Sequence, residues 1–299
     1  MSISESTDRS TSIAADTSIG TVQLRVSNLD RAATFYERLI GLTAAEQPDG
    51  SVLLGGAAGW PPLLSLTGDS AAPPRNPRQT GLFHLAILVP TRRDLAVALV
   101  RLVQGGWHLD GASDHLVSEA LYLSDPEGNG IEIYRDRERS DWRLGPDGKP
   151  QMATLPIDLD DLIAELRDAP IDPARDGRMP AGTRIGHVHL QVSELRETER
   201  FYIGVLGFDL ITREYPGALF VSAGGYHHHI GLNVWNSRGG ATPPPTGVGL
   251  RAFELRLGDP AALAAVLARV EAAGVKPEST PDGATLVRDP SGNGILLTV

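Results

Sequence analysis

The sequence predicts an α+β protein built from four strand–helix–strand–strand–strand modules, and three observations point there. The chain repeats itself: Ile19–Leu29 (IGTVQLRVSNL) and Ile185–Leu195 (IGHVHLQVSEL) are identical at seven of eleven positions, and Phe35–Leu42 (FYERLIGL) matches Phe201–Phe208 (FYIGVLGF) at the same offset. A second repeated segment, Asp125–Ile131 (DPEGNGI) and Asp289–Ile295 (DPSGNGI), closes each half. Each half holds two alternating apolar/polar runs, each followed by a helical pattern. A chain of 299 residues is about twice a typical domain and can bury a sizeable core.

The elements follow in order. Residues 1–18 are Ser/Thr-rich with little to bury, so a disordered tail is expected. Residues 19–137 form the N-terminal pair of modules and 185–299 the C-terminal pair. The opening strands are read at Thr21–Ser27, Phe83–Val89, His187–Ser193 and Ala252–Leu257, where a period of two gives one buried face. The best-marked helices are Arg92–Gln104, capped by Thr91 with Asp94 three residues on, and Ala261–Ala273, capped by Asp259 with Pro260 in the first turn; Gly105 and Gly274 stop them. The last strands are Gly130–Tyr134 and Gly294–Val299. Before each, Asp-Pro-x-Gly-Asn-Gly supplies the fixed φ of proline and the positive φ of glycine that a tight turn requires. Residues 138–184, with six prolines, read as a linker with one short helix near Leu159–Leu166.

Composition removes several function classes. Twenty-seven basic against thirty-seven acidic residues give a net charge of −10 with no basic run, which argues against nucleic acid and anionic membranes as partners. No apolar stretch approaches the ~20 residues of a membrane helix, and Met1–Asp16 lacks the apolar core of a signal peptide, so a cytoplasmic protein is expected. With no cysteine, any metal must be held by histidine and carboxylate. All eight histidines (84, 108, 115, 187, 189, 227, 228 and 229) fall in modules two and three.

The HV-x-L-x-V-S-x-L … FY-x-x-x-LG opening and the DP-x-GNGIE-x-Y close resemble the vicinal oxygen chelate (glyoxalase/bleomycin resistance/dioxygenase) superfamily from Ile19 onward. That resemblance implies βαβββ modules paired into two half-open barrels, with a divalent metal held by residues on first and last strands. At the first-strand position the four modules carry Thr21, His84, His187 and Phe253; at the last-strand position the second and fourth carry Glu132 and Leu296. Only His84, His187 and Glu132 can ligate, and two imidazoles with one carboxylate form the facial triad of non-haem iron oxygenases.

More narrowly, Asp114–Tyr122 (DHLVSEALY) followed by Leu123–Tyr134 is similar to the extradiol catechol 2,3-dioxygenases, with Tyr122 ten residues before Glu132. This resemblance implies a ring-opening oxidoreductase taking a catecholic substrate and O2 to a muconic semialdehyde, with Fe(II) as cofactor and Mn(II) as the alternative. It assigns catalytic roles to His228 as proton donor and acceptor, and to Tyr122 and His115 as hydrogen-bonding groups. Substrate contacts are expected from His189, on the face of His187, and from His229. Strand alternation places His227 and His229 on one face and His228 on the other, so the run cannot converge on one metal; a surface metal patch is the alternative reading. Two other functions compete: a glyoxalase-like isomerase or thiol transferase, which recruits a second glutamate where Leu296 stands, and a metal-free binding (resistance) protein. Because modules one and four lack histidine, pairing module two with module three is what collects the triad. Chain-order pairing, with a ligand supplied across a homo-oligomer, is the competing arrangement.

Overall fold

The computed structural model describes residues 12–56, 61–280 and 283–299. Module one comprises β1 (Ser18–Val26), α1 (Leu29–Phe35), β2 (Thr43–Glu46), β3 (Val52–Gly55) and β4 (Leu64–Gly68). Module two comprises β5 (Gly81–Leu88), α2 (Arg92–Gln104), β6 (Gly111–Asp114), β7 (Ser118–Ser124) and β8 (Gly130–Asp136). The connector adds β9 (Leu155–Pro156), α3 (Leu159–Ala164) and α4 (Pro173–Asp176). Module three follows as β10 (Arg184–Gln191), α5 (Leu195–Glu199), β11 (Asp209–Thr212), β12 (Ala218–Ser222) and β13 (Ile230–Asn233). Module four is β14 (Gly249–Arg256), α6 (Pro260–Ala272), β15 (Glu278–Ser279), β16 (Thr285–Arg288) and β17 (Gly294–Thr298).

The local rules account for these elements. Thr91 and Asp94 form a reciprocal capping box on α2, and the Asp259 side chain accepts from the Ala262 amide at the start of α6. In α2, Leu95, Ala98, Leu99 and Leu102 are buried at helical spacing, which seats it on the sheet. The repeated FY segments lie where α1 and α5 pass into π-helical turns (Tyr36–Ile40 and Arg200–Val205). Gly128 and Gly292 in the repeated turns have φ of +80° and +83°, as the sequence required.

Two sheets result. One runs β15-β16-β17-β14-β1-β4-β3-β2 and the other β11-β12-β13-β10-β5-β8-β7-β6-β9. The first and fourth modules therefore share one half-barrel and the second and third share the other. Each is joined by an antiparallel pair of opening strands, β1 with β14 and β10 with β5. Strands β1 and β10 lie against each other where the barrels meet. The apolar faces merge into one core that includes Leu24, Phe35, Leu85, Leu99, Leu190 and Phe253.

The repeated motifs tie the barrels together. The buried Tyr36 hydroxyl donates to Asp125 Oδ2 at 3.0 Å, from module one to module two, and Tyr202 donates to Asp289 Oδ2 at 3.1 Å, from module three to module four. Each aspartate also accepts from the asparagine of its own turn, Asn129 or Asn293, at 2.9 Å.

Three expectations need correction. Within the tail drawn over 1–18, residues 1–11 lie outside the described residues, but Ile13 is buried, its amide donates to the Gly207 carbonyl, and Ser18 already belongs to β1. The first-strand counterpart of His84 in module four is Ala252, not Phe253. The pairs His189↔His84 and Gln23↔Ala252 are equivalent, and Phe253 points into the core. The connector is also more than a linker, because β9 adds to the edge of β6 beside the site.

Candidate active site

The concave face of the sheet shared by modules two and three collects the predicted ligands. His84 lies on β5, Glu132 on the adjoining parallel strand β8, and His187 on β10. All three are buried. One atom, Glu132 Oε2, stands 3.0 Å from His84 Nε2 and 3.1 Å from His187 Nε2. Every donor atom of the trio lies within 4.8 Å of the others.

The electrostatics favour a cation among them. Burial pushes the His187 imidazole down to about 4, which leaves it neutral with a lone pair at pH 7. Burial opposes the charge of Glu132, yet His187 and His84 hold its carboxyl well below the usual range. The His84 contact is close but not aligned as a hydrogen bond, so its buried Nε2 has no partner. Two imidazole nitrogens and a carboxylate oxygen converging in this way are a donor set that fits a divalent metal.

The fourth position of the site decides its openness. Glu132 pairs with Ala86 and Gly231 pairs with His189, and Ala86 and His189 are counterparts across β5 and β10. The place in this barrel where a second carboxylate ligand would stand is thus Gly231. Leu296 lies in the other barrel, opposite Glu254, which corrects the position read from the sequence. A Cβ at Gly231 would lie 2.9 Å from the His189 ring, so the imidazole occupies the space a side chain would need.

Beside the trio opens a cavity of about 230 Å³. Its walls are largely apolar, with Phe83, Val117, Met152, Phe220 and Trp235, and among the described residues no lysine or arginine lines it. His115, Tyr122, His189 and His228 line it too. Met152 and Thr154 come from the connector, a contribution that its proline-rich composition did not disclose.

Hydrogen bonds fix the ring states. His115 Nδ1 lies 2.7 Å from the Ala153 carbonyl, which can only accept, so Nδ1 donates and Nε2 accepts from the Tyr122 hydroxyl at 2.7 Å. Burial, and then the Glu132 charge, push the Tyr122 phenol well above its ordinary range, so it remains the donor. Leu116, φ +69°, turns the chain between β6 and β7 and is the one described non-glycine residue in the left-handed region. His189 Nε2 is buried without a partner, and burial pushes both His189 and His228 well below the ordinary histidine value.

Of the histidine run, only His228 enters the cavity. Its ring lies 4.1 Å, centroid to centroid, from that of His187. His229 does not line it. Its Nδ1 accepts from the Ala223 amide at 3.2 Å and is 3.0 Å from Ser222 Oγ, on the far side of the sheet with Arg139 and Tyr226. His227 is buried with Nε2 2.9 Å from Asp136 Oδ1. The three histidines precede β13 rather than alternating along it, so His227 stays in contact with His228, while the bonds of His229 remove it from the substrate contacts expected of it.

In the other barrel the equivalent positions are Thr21, Ala252 and Leu296, which hold no ligand set. Glu254 fills that floor instead, paired with Arg256 at 2.7 Å and accepting from the Thr21 amide and the Thr298 hydroxyl.

Comparison with known proteins agrees with this geometry. The sequence profile of the Glyoxalase/Bleomycin resistance protein/Dioxygenase superfamily matches residues 18–133 and 184–297. A Catechol-2,3-dioxygenase of Bacillus subtilis (strain 168) is 44% identical over 292 residues, covering 97% of this chain and 99% of its own. Two crystal structures share the fold at low identity. Glyoxalase I from Zea mays has a TM-score of 0.55 at 17% identity, over 94% of this chain and 92% of that one. The cppA protein of Streptococcus pneumoniae has a TM-score of 0.58 at 12% identity, over 96% and 99%.

Proposed function

This chain belongs to the Glyoxalase/Bleomycin resistance protein/Dioxygenase superfamily, and from that premise we propose that it is an extradiol ring-cleaving dioxygenase acting on a catechol next to its vicinal hydroxyls. The observation that carries the reading is the three-donor cluster His84, Glu132 and His187 with glycine at the fourth position. A glyoxalase-like isomerase would need a further carboxylate there, and Gly231 has none. A metal-free binding protein would leave three buried donor groups facing one another without a purpose.

Bound at this cluster, Fe(II) would supply adjacent open positions for both substrate oxygens and O2 and would relay electron density from ring to oxygen. The residues do the rest. Phe83, Phe220 and Trp235 seat an aromatic ring and exclude water. About 150 Å³ of apolar space accepts benzene, so a cavity of about 230 Å³ suits one ring with a small uncharged substituent. His189 offers its unpartnered Nε2 to the substrate. Tyr122, whose proton is held by His115, accepts from a substrate hydroxyl, and His228 takes up a proton at its free ring nitrogen and returns it later.

Oxygen uptake tests the reading. Protein loaded anaerobically with Fe(II) is expected to consume O2 in equal amount with an alkyl-substituted catechol and to form a coloured ring-opened aldehyde. Carboxylated catechols should react much more slowly. No oxygen consumption with any catechol overturns the proposal.

A further inference from the structure

The histidine that the proposed chemistry leaves aside, His227, sits in a chain of polar contacts that ends at the cavity. Asp136 Oδ1 lies 2.9 Å from His227 Nε2, and His227 Nδ1 lies 2.8 Å from His228 Nδ1. The Asp136 carboxylate also accepts from the Tyr226 hydroxyl at 2.9 Å, and the Tyr134 hydroxyl is 2.8 Å from Tyr226. His227 is completely buried, with its ring 4.0 Å from Tyr226 and 5.6 Å from Trp142, centroid to centroid. Neither Asp136 nor His227 lines the cavity.

We propose that Asp136 and His227 are positioning residues that fix the tautomer and orientation of His228. The assignment follows from which atoms can donate. A carboxylate only accepts, so His227 Nε2 carries the proton. With His227 taken as the neutral imidazole, its other nitrogen is a lone pair, so His227 Nδ1 accepts and His228 Nδ1 donates. His228 Nε2 is left as the lone-pair nitrogen, on the ring that faces the cavity. The arrangement extends by one imidazole the logic of an aspartate that holds a catalytic histidine in its working tautomer. Tyr226, itself in contact with the Tyr134 hydroxyl, donates to Asp136 and helps to keep the carboxylate directed at His227.

The inference rests on the acid–base reading of His228, and the experiment separates the two. Asp136→Asn keeps size and can still accept from Tyr226, but its amide presents a donor to His227 Nε2. Every hydrogen bond then reverses: His227 Nδ1 donates, His228 Nδ1 accepts, and Nε2 carries the proton. In the metal-free protein, nitrogen-15 NMR of labelled histidine is expected to show His228 protonated at Nδ1 in the wild type and at Nε2 in Asp136→Asn. In the Fe(II)-loaded enzyme with a catechol, the same variant should lose roughly 10- to 100-fold in kcat with KM within about twofold, because ring binding is untouched. His227→Phe should match it in kcat, whereas Asp136→Glu, which restores the carboxylate, should recover most of the loss. An unchanged His228 tautomer in Asp136→Asn, or wild-type kcat in both variants while His228→Asn is slow, overturns the positioning role. Wild-type turnover in His228→Asn overturns the acid–base reading instead, and the tautomer measurement then decides the positioning role alone.

Discussion

At the scale of single residues, the site is defined by which side chains find partners within the protein and which do not. His84 Nε2 is buried close to Glu132 without a hydrogen bond, whereas Thr21, the counterpart of His187 in the other barrel, donates its hydroxyl to the Pro62 carbonyl at 2.9 Å. His84→Ala should therefore weaken metal binding by at least ~100-fold, since two remaining ligands cannot hold the coordination, while Thr21→Ala should leave metal content unchanged; elemental analysis after Fe(II) loading reads both. His229 gives a different prediction. Its Nδ1 accepts from the Ala223 amide and so must keep its lone pair, and burial lowers its pKa from the ordinary 6.5 to about 3. Because the folded value lies below the unfolded one, the stability tied to neutral His229 is complete above about pH 6.5 and declines as the pH falls toward 3, by about 1.4 kcal/mol per unit. Unfolding free energies from urea titrations at pH 7 and pH 5 should differ by roughly 2 kcal/mol less in His229→Ala than in the wild type.

At the scale of elements, the repeated motifs turn out to be fasteners as much as turns. Tyr36 and Asp125 belong to different barrels, and Asp125 is buried, with burial raising its pKa and Asn129 acting against that rise. Tyr36→Phe removes one donor from a buried carboxyl and should cost about 1–3 kcal/mol in urea unfolding, with Tyr202→Phe alike at Asp289. These bonds were not legible in the sequence, because FY and DP-x-GNG lie far apart and only the fold brings one to the other. The helix α2 and the turn glycines were legible, since caps and positive φ are local demands. The pairing of module two with module three was legible for another reason: histidines were confined to those modules. What failed was register by one residue: β5 (GLFHLAIL) and β14 (GLRAFELR) align without a gap, which sets Ala252 and not Phe253 as the counterpart of His84. The part played by Met152 and Thr154 was hidden because a proline-rich connector carries no periodic signal.

On the scale of the whole molecule, two barrels of common design have taken opposite roles. One keeps its concave floor open around His84, Glu132 and His187, and the other closes it with the Glu254–Arg256 pair, leaving no room for a side chain at Gly20. Their connectivity has a further consequence. The strands of modules two and three form a contiguous stretch, so the half-barrel bearing the ligands can close while the chain is still being made. β1 cannot, because its antiparallel partner β14 lies more than two hundred residues further along the chain. At about 5–20 residues per second, β1 waits roughly 10–50 seconds for β14 with an apolar edge uncovered. The half-barrel built from the first and fourth modules is thus the one that sets the hazard of misassembly during synthesis.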